Sequence, residues 1–169
     1  CLPNCQNIHC NDRRFTRFWE RMAEAGLPLL AHTGGEHTLQ VVRPEYADPR
    51  TMTLPLECGV TVIAAHGATS SGIADPNYLP DLLELFEKFP NLYADNSALN
   101  LALRSRHLRS CLKKEVTDRL VHGSDYPVPV GARWAHWRGF IDAPTARRCN
   151  RLSNPLERDF QLKTASGFP

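Results

Sequence analysis

Residues 119–127 read RLVHGSDYP: a short apolar run, Leu120 and Val121, gives way to small and polar residues. The same pattern occurs three more times upstream, in 27–34 (LPLLAHTG), 60–67 (VTVIAAHG) and 91–97 (NLYADNS). Short apolar runs bounded by Gly, Ser or Asn are typical of buried parallel strands. The sequence therefore predicts four parallel strands, over residues 27–31, 60–65, 91–94 and 119–122.

The spacing of these runs indicates repeated strand–helix units. Their ends, taken at His32, His66, Asp95 and Asp125, lie 34, 29 and 30 residues apart, and about 30 residues is the size of one such unit. Apolar residues recur at helical spacing in the intervening segments, which predicts helices over 12–25, 78–89 and 106–116. Beyond Asp125, four prolines divide the chain into short helical pieces. Alternating strands and helices define an α/β fold.

The length of the chain leaves two architectures open. A complete (β/α)8 TIM barrel needs about 250 residues, and the chain has 169, so four units form either an open sheet or half of a barrel. No linker or low-complexity stretch divides residues 1–169, which we expect to be a single partial domain. Because the chain begins with Cys1 rather than Met, we expect it to be a piece of a longer protein.

The composition excludes several functional classes. Hydrophobic residues make up 42% and charged residues 22%, and 20 Lys and Arg against 18 Asp and Glu give a net charge of +2. This balance does not predict nucleic-acid binding, and no run of about 18 apolar residues predicts a membrane span. The glycine patterns of dinucleotide-binding and P-loop motifs are absent. We expect a small molecule as the ligand.

The six cysteines are scattered through the chain and predict reduced thiols in a cytoplasmic protein. Cys1, Cys5 and Cys10 lie close together, but their spacing matches neither a zinc pair nor an iron–sulfur motif.

Three strand ends carry residues suited to chemistry. His32, His66 and Asp125 follow the first, second and fourth runs, each beside small residues that leave room for a ligand. Functional groups of α/β folds gather at the carboxyl ends of parallel strands. Imidazole and carboxylate groups suit a divalent metal that generates hydroxide at neutral pH. The pattern predicts a site there, whose three members converge only if the sheet curves as a barrel does.

The arginines of the second half are interpreted differently. We expect them to lie on solvated helix faces, with anchoring of a substrate carboxylate as the less favoured alternative. This set comprises Arg104, Arg106, Arg109, Arg147, Arg148 and Arg151.

The four strand ends resemble those of the amidohydrolase-related family, the metal-dependent TIM-barrel hydrolases whose branches include aminocarboxymuconate-semialdehyde decarboxylase. The Gly-Ser-Asp-Tyr-Pro segment at 123–127 is the most specific element of this resemblance. It implies that the chain is the C-terminal half of the barrel, strands five to eight. The family's His-x-His motif of strand one occurs nowhere in the chain.

The resemblance also implies roles for individual residues. His32 matches a metal ligand, His66 a histidine that binds metal or polarises the substrate, and Asp125 an aspartate that touches the metal and accepts a proton from water. Asn96 and Tyr126 are the expected substrate contacts. The implied cofactor is a divalent metal, with zinc as the first choice.

The implied activity is attack of water on an amide, lactone or ester carbonyl. One alternative is non-oxidative decarboxylation of an aromatic or muconate-type acid. Another is a non-catalytic fragment that needs a partner chain, since the unpaired edges of a half-barrel favour association, including homo-oligomers. We expect the full-length protein to be a metal-dependent hydrolase or lyase, and the 169 residues by themselves to be inactive.

Overall fold

The computed structural model describes residues 1–169 and contains one sheet of four parallel strands in sequence order. The strands are Leu29–Ala31 (β1), Val62–Ala64 (β2), Leu92–Asp95 (β3) and Leu120–Val121 (β4). Leu30 pairs with Ile63, which pairs with Tyr93. The predicted α/β fold with four parallel strands is confirmed. β1, β2 and β4 are shorter than predicted, and β3 has the predicted length but is shifted by one residue toward Asp95.

Nine α-helices surround or follow the sheet. They are Pro3–Gln6 (α1), Thr16–Glu24 (α2), Thr53–Glu57 (α3), Leu79–Lys88 (α4), Leu108–Cys111 (α5), Lys114–Thr117 (α6), Arg133–Trp137 (α7), Ala143–Asn150 (α8) and Pro155–Ala165 (α9). None is long and apolar enough to cross a membrane.

Two of the predicted helices are interrupted. The segment 12–25 begins with a 3₁₀ turn, which Asp12 caps by accepting from the backbone N–H of Arg14, and only then becomes α2. The segment 106–116 divides into a 3₁₀ turn followed by α5 and α6, because Lys113 adopts an extended conformation between the two helices. The apolar residues that suggested the helix, such as Leu108 and Val116, are still fully buried.

The core lies on one face of the sheet. Val62, Ala64 and Leu92 point toward the helices and are buried together with Leu82 and Leu108. Alternate strand residues point to the opposite face, where Leu30 is 51% exposed and Val121 is also exposed. In a closed TIM barrel that face forms the packed interior. This opposite face of the sheet is therefore apolar, and no other element packs over it.

The two outer edges of the sheet are bordered differently. Cys1 runs along the free side of β1, where its amino group donates to the Leu30 carbonyl and its own carbonyl accepts from the His32 N–H, both at 2.9 Å. On the other side, β4 is only two residues long and is followed by the segment that leads into α7, α8 and α9. These three helices pack around a small core of their own, which includes Ala135 and Leu162. All six cysteines are free.

Candidate active site

The carboxyl ends of the strands surround a cavity of about 700 Å³. His32, His66 and Asp125 all line it, and the two imidazole rings meet edge to face with their centroids 5.0 Å apart. The sheet is thus curved enough to bring together residues from β1, β2 and β4. Glu36, Asp95 and Arg104 also line the cavity.

His66 is held in a strained turn directly after β2. Its φ of 61° is in the left-handed region, which is unusual for a residue with a side chain. The Asp95 carboxylate, at the end of β3, accepts a hydrogen bond of 2.7 Å from the His66 backbone N–H. Gly67 continues the turn at φ 57°. The neighbouring strand therefore fixes where the imidazole enters the cavity.

A chain of side chains defines which nitrogen of His66 carries the proton. The Ser97 hydroxyl contacts both the Asp95 carboxylate and His66 Nδ1, the latter at 2.7 Å. The Ser97 hydroxyl donates its single proton to the Asp95 carboxylate, so it accepts a hydrogen bond from His66 Nδ1–H. His66 Nε2 then carries the lone pair. In this tautomer the imidazole can bind a metal or accept a proton, but it cannot donate to a substrate oxygen.

Burial sets the charge states in the cavity. It places the pKa of His66 well below its ordinary value and lowers that of His32 as well, so both rings are neutral near pH 7. Burial also raises the pKa of the Asp125 carboxyl, and the Arg104 guanidinium opposes this shift. A carboxylate with a raised pKa is a stronger proton acceptor, as a general base requires.

The histidines meet part of what a metal site needs. His32 Nδ1 is buried without a hydrogen-bond partner, while its Nε2 lies 3.3 Å from Glu36 Oε2. Two neutral imidazoles with free lone pairs are suitable donors. However, no group of three His, Cys, Asp or Glu side chains in the protein is placed to hold a metal ion. His32 and His66 therefore have the chemistry of metal ligands, but this chain by itself does not place enough ligands together to hold a metal ion.

Arg104 corrects the prediction that the arginines of this region are solvated. Its side chain reaches into the cavity and is only 3% exposed. The guanidinium donates to the carbonyls of Thr69 at 2.5 Å and Gly35 at 2.7 Å, and it forms no ion pair with a carboxylate. Burial lowers the pKa of Arg104 to about 10, so it remains charged at neutral pH.

Asp125 depends on support from two other elements. Asn96 Oδ1 accepts from the Gly123 N–H at 3.1 Å, and the Lys163 ammonium of α9 donates to the Gly123 carbonyl. Lys163 also pairs with Asp159 at 2.6 Å, and both side chains are 1% exposed. A buried ion pair in the last helix therefore anchors the chain two residues before Asp125.

The two predicted substrate contacts differ in position. Tyr126 lines the cavity and is 64% exposed at its rim. Asn96 is buried and does not line the cavity, because its amide oxygen is used to hold Gly123. Ser97, Asp159 and Lys163 were not predicted from the sequence, and the only local signal for Ser97 was the Asp-Asn-Ser triplet that begins at the last residue of β3.

The model of the amidohydrolase family matches residues 2–159. The chain belongs to this family. The predicted resemblance is confirmed at that level, and amidohydrolases typically use divalent metals.

Two solved structures share the fold of this chain. An uncharacterised TIM-barrel protein from Bordetella bronchiseptica aligns with a TM-score of 0.57 and 19% identity over 92% of this chain. A candidate 2-pyrone-4,6-dicarboxylic acid hydrolase from Pseudomonas putida aligns with a TM-score of 0.50 and 17% identity over 95%. The chain spans 53% and 59% of the lengths of these two barrels. No curated protein sequence matches it.

Proposed function

We propose that the cavity hydrolyses a small carbonyl compound that carries a carboxylate, such as an acidic lactone, ester or amide. We further propose that the four strands correspond to strands five to eight of an amidohydrolase barrel. The observation that carries the first proposal is the buried Arg104 guanidinium, which faces the cavity with no carboxylate partner. Carboxylates such as Asp125 and Glu36 act on this charge only at a distance, whereas a substrate carboxylate would bind it directly through charge-assisted hydrogen bonds.

The residues around Arg104 suit the hydrolytic step. Water adds to the carbonyl carbon and gives its proton to the Asp125 carboxylate, whose raised pKa favours acceptance. The bond to the leaving nitrogen or oxygen then breaks, and the proton returns to the leaving atom. Because its Nε2 carries a lone pair, His66 can accept a proton or bind a metal in this arrangement, but it does not donate a hydrogen bond to the carbonyl oxygen.

A divalent metal, with zinc as the first choice, is part of this proposal only as a weakly bound group. His32 Nδ1 and His66 Nε2 would hold it, and it would supply an activated water. Since no group of three side chains in the protein is placed to hold a metal ion, the proposal assigns the anchoring of substrate to Arg104 and the acceptance of the proton to Asp125.

The test compares acids with their methyl esters as ligands of the 169-residue chain. 2-Pyrone-4,6-dicarboxylate, for which the Pseudomonas neighbour is named, and simpler lactone carboxylates are suitable probes. We expect the acids to bind about tenfold or more tightly than their esters, because a hydrogen bond to a charged group contributes about 1.5–3 kcal/mol. Arg104→Gln should abolish this preference, and Arg104→Lys should retain part of it. Arg147→Gln, on exposed α8, is the control.

Turnover is measured with the same probes. Loss of product formation in Asp125→Asn would support hydrolysis with Asp125 as the base. Release of CO2 would instead identify the decarboxylase alternative. Equal binding of acids and esters by the unmodified protein would overturn the proposal.

A further inference from the structure

A second hollow, of about 320 Å³, shares no lining residue with the catalytic cavity. It is formed by the segment that leads into α5 and by the end of α7. Its six lining residues are Ser105, Arg106, Arg109, Trp137, Arg138 and Phe140. Three of the six are arginines, and none of the three forms an ion pair with a carboxylate of the protein. The hollow thus concentrates positive charge that the chain leaves unneutralised.

Two of the arginines are held in place by uncharged groups. Arg106 Nη2 donates to the Ser70 hydroxyl at 2.7 Å and to the Gly72 carbonyl at 2.6 Å. Arg138 Nε donates to the Ser105 hydroxyl at 2.7 Å. Such partners orient a guanidinium without cancelling its charge. The conformational cost of ordering these two side chains is therefore already met before any ligand arrives.

Aromatic rings support the other side of the hollow. The Arg109 guanidinium lies 5.8 Å from the centre of the Phe140 ring, and that of Arg138 lies 5.9 Å from the Trp137 ring. Both distances are within the range of cation–π attraction. The Trp137 ring is 73% exposed. It therefore has a large free surface beside two charged groups.

His107 contacts one of the arginines of the hollow. Burial lowers the pKa of its imidazole to about 4, with further lowering from Arg106, Arg104 and Arg138. The ring is neutral at pH 7 and accepts a hydrogen bond of 3.0 Å from Arg106 Nε. A neutral histidine beside three guanidinium groups adds a positioning contact but no negative charge.

From this geometry we propose that the hollow binds a phosphate group, with Trp137 as a stacking surface for a planar ring attached to it. The Nε and Nη2 atoms of Arg106 and Arg138 already donate within the protein, so these two side chains would offer Nη1 to a phosphate oxygen, whereas Arg109 can offer its whole guanidinium fork. A phosphate monoester carries about two negative charges at pH 7, which three guanidinium-bearing side chains around one hollow balance better than the single charge of a carboxylate. The site does not depend on the proposed hydrolytic function, because it uses none of the cavity residues.

The experiment titrates the 169-residue chain with inorganic phosphate, adenosine monophosphate and adenosine, followed by calorimetry and tryptophan fluorescence. We expect saturable binding of the monophosphate with quenching of fluorescence, weaker binding of phosphate, and none of adenosine. Arg109→Gln should lower both affinities about tenfold, as expected for one charge-assisted contact. Trp137→Leu should weaken binding of the monophosphate but leave that of phosphate unchanged, which separates a nucleotide-like ligand from free phosphate.

Two controls test whether the loss of binding is specific to the hollow and whether the variant folds. Arg147→Gln removes a charge from a second group of arginines, on α8, and should leave both affinities unchanged. Arg109 is exposed and outside any ion pair, so Arg109→Gln should fold normally, as circular dichroism would show. Equal losses in the two variants would mean unspecific attraction and would overturn the site. So would binding of adenosine as tight as that of its monophosphate, or no binding of either phosphate compound.

Discussion

His66 and Asp125 reach the same cavity from different kinds of strand. β2 lies inside the sheet, and the Asp95 carboxylate at the end of its neighbour β3 bonds the backbone of His66 directly. β4 is an edge strand of two residues, and the chain before Asp125 is held by Asn96 and by Lys163 of α9, 40 residues further along the chain. An interior strand end is thus supported by the sheet itself, whereas an edge strand end relies on a distant helix.

The largest effect on stability is expected for the buried Lys163–Asp159 ion pair, which supports the edge strand β4. Lys163→Met leaves the Asp159 carboxylate buried without its partner, which should lower the free energy of unfolding by about 3–5 kcal/mol. Urea unfolding measures the loss. The double variant Asp159→Leu with Lys163→Met should recover most of it, because no uncompensated charge then remains.

Lys114→Met is the matched control for that variant. Lys114 also pairs with an aspartate four residues away, but its side chain is 84% exposed, so the loss should be below about 1 kcal/mol. Similar losses in both variants would show that α9 does not support β4 in the way described.

The second prediction concerns the place where the two strand ends meet. A Cβ at Gly123 would lie 2.9 Å from Asp95 Cγ and 3.0 Å from Ser97 Cβ. Gly123→Ala should therefore displace the Asp95–Ser97 pair and cost about 1–3 kcal/mol. The NMR signals of the His66 ring nitrogens should shift as its bond to Ser97 weakens. Gly131→Ala, where a Cβ meets nothing within 4 Å, should change neither quantity.

The third prediction concerns metal binding at the histidine side of the cavity. With two free imidazole nitrogens and no three-ligand group, the chain should bind zinc weakly and lose it to chelators. His32→Ala should reduce the affinity about tenfold, and His136→Ala, on exposed α7, should leave it unchanged. Zinc titration against a chromophoric chelator gives both values. Stoichiometric, chelator-resistant zinc would contradict this and direct attention to Cys1, Cys5 and Cys10.

The last prediction is a pH dependence of stability that involves neither strand end. His107 has a folded pKa of about 4 and an unfolded pKa of about 6.5. Between these values the unfolded chain binds a proton that the folded chain does not, so stability should fall as the pH drops from about 6.5 to 4. In His107→Gln this part of the decline should be absent, as urea unfolding at several pH values would show. An unchanged slope would mean that His107 titrates normally in the folded protein.

The four strands and their parallel order could be predicted because each apolar run and its terminating glycine or serine are local features. The interrupted helix at 106–116 could not, because its apolar spacing is the same whether or not Lys113 breaks the helix. Nor could the burial of Arg104, whose carbonyl partners at Thr69 and Gly35 lie 35 and 69 residues away.

The sequence alone determined the strand–helix repeat, the residues that end each strand and membership in the amidohydrolase family, because hydrophobic periodicity and short motifs are local properties of the chain. Which polar groups are buried, and which partners they bond, depends on the three-dimensional packing of the chain. The tautomer of His66 depends on Ser97 from the next strand, and the position of Asp125 depends on Lys163 from the last helix. Burial and hydrogen bonding are set by neighbours in space, and those neighbours are distant in the sequence.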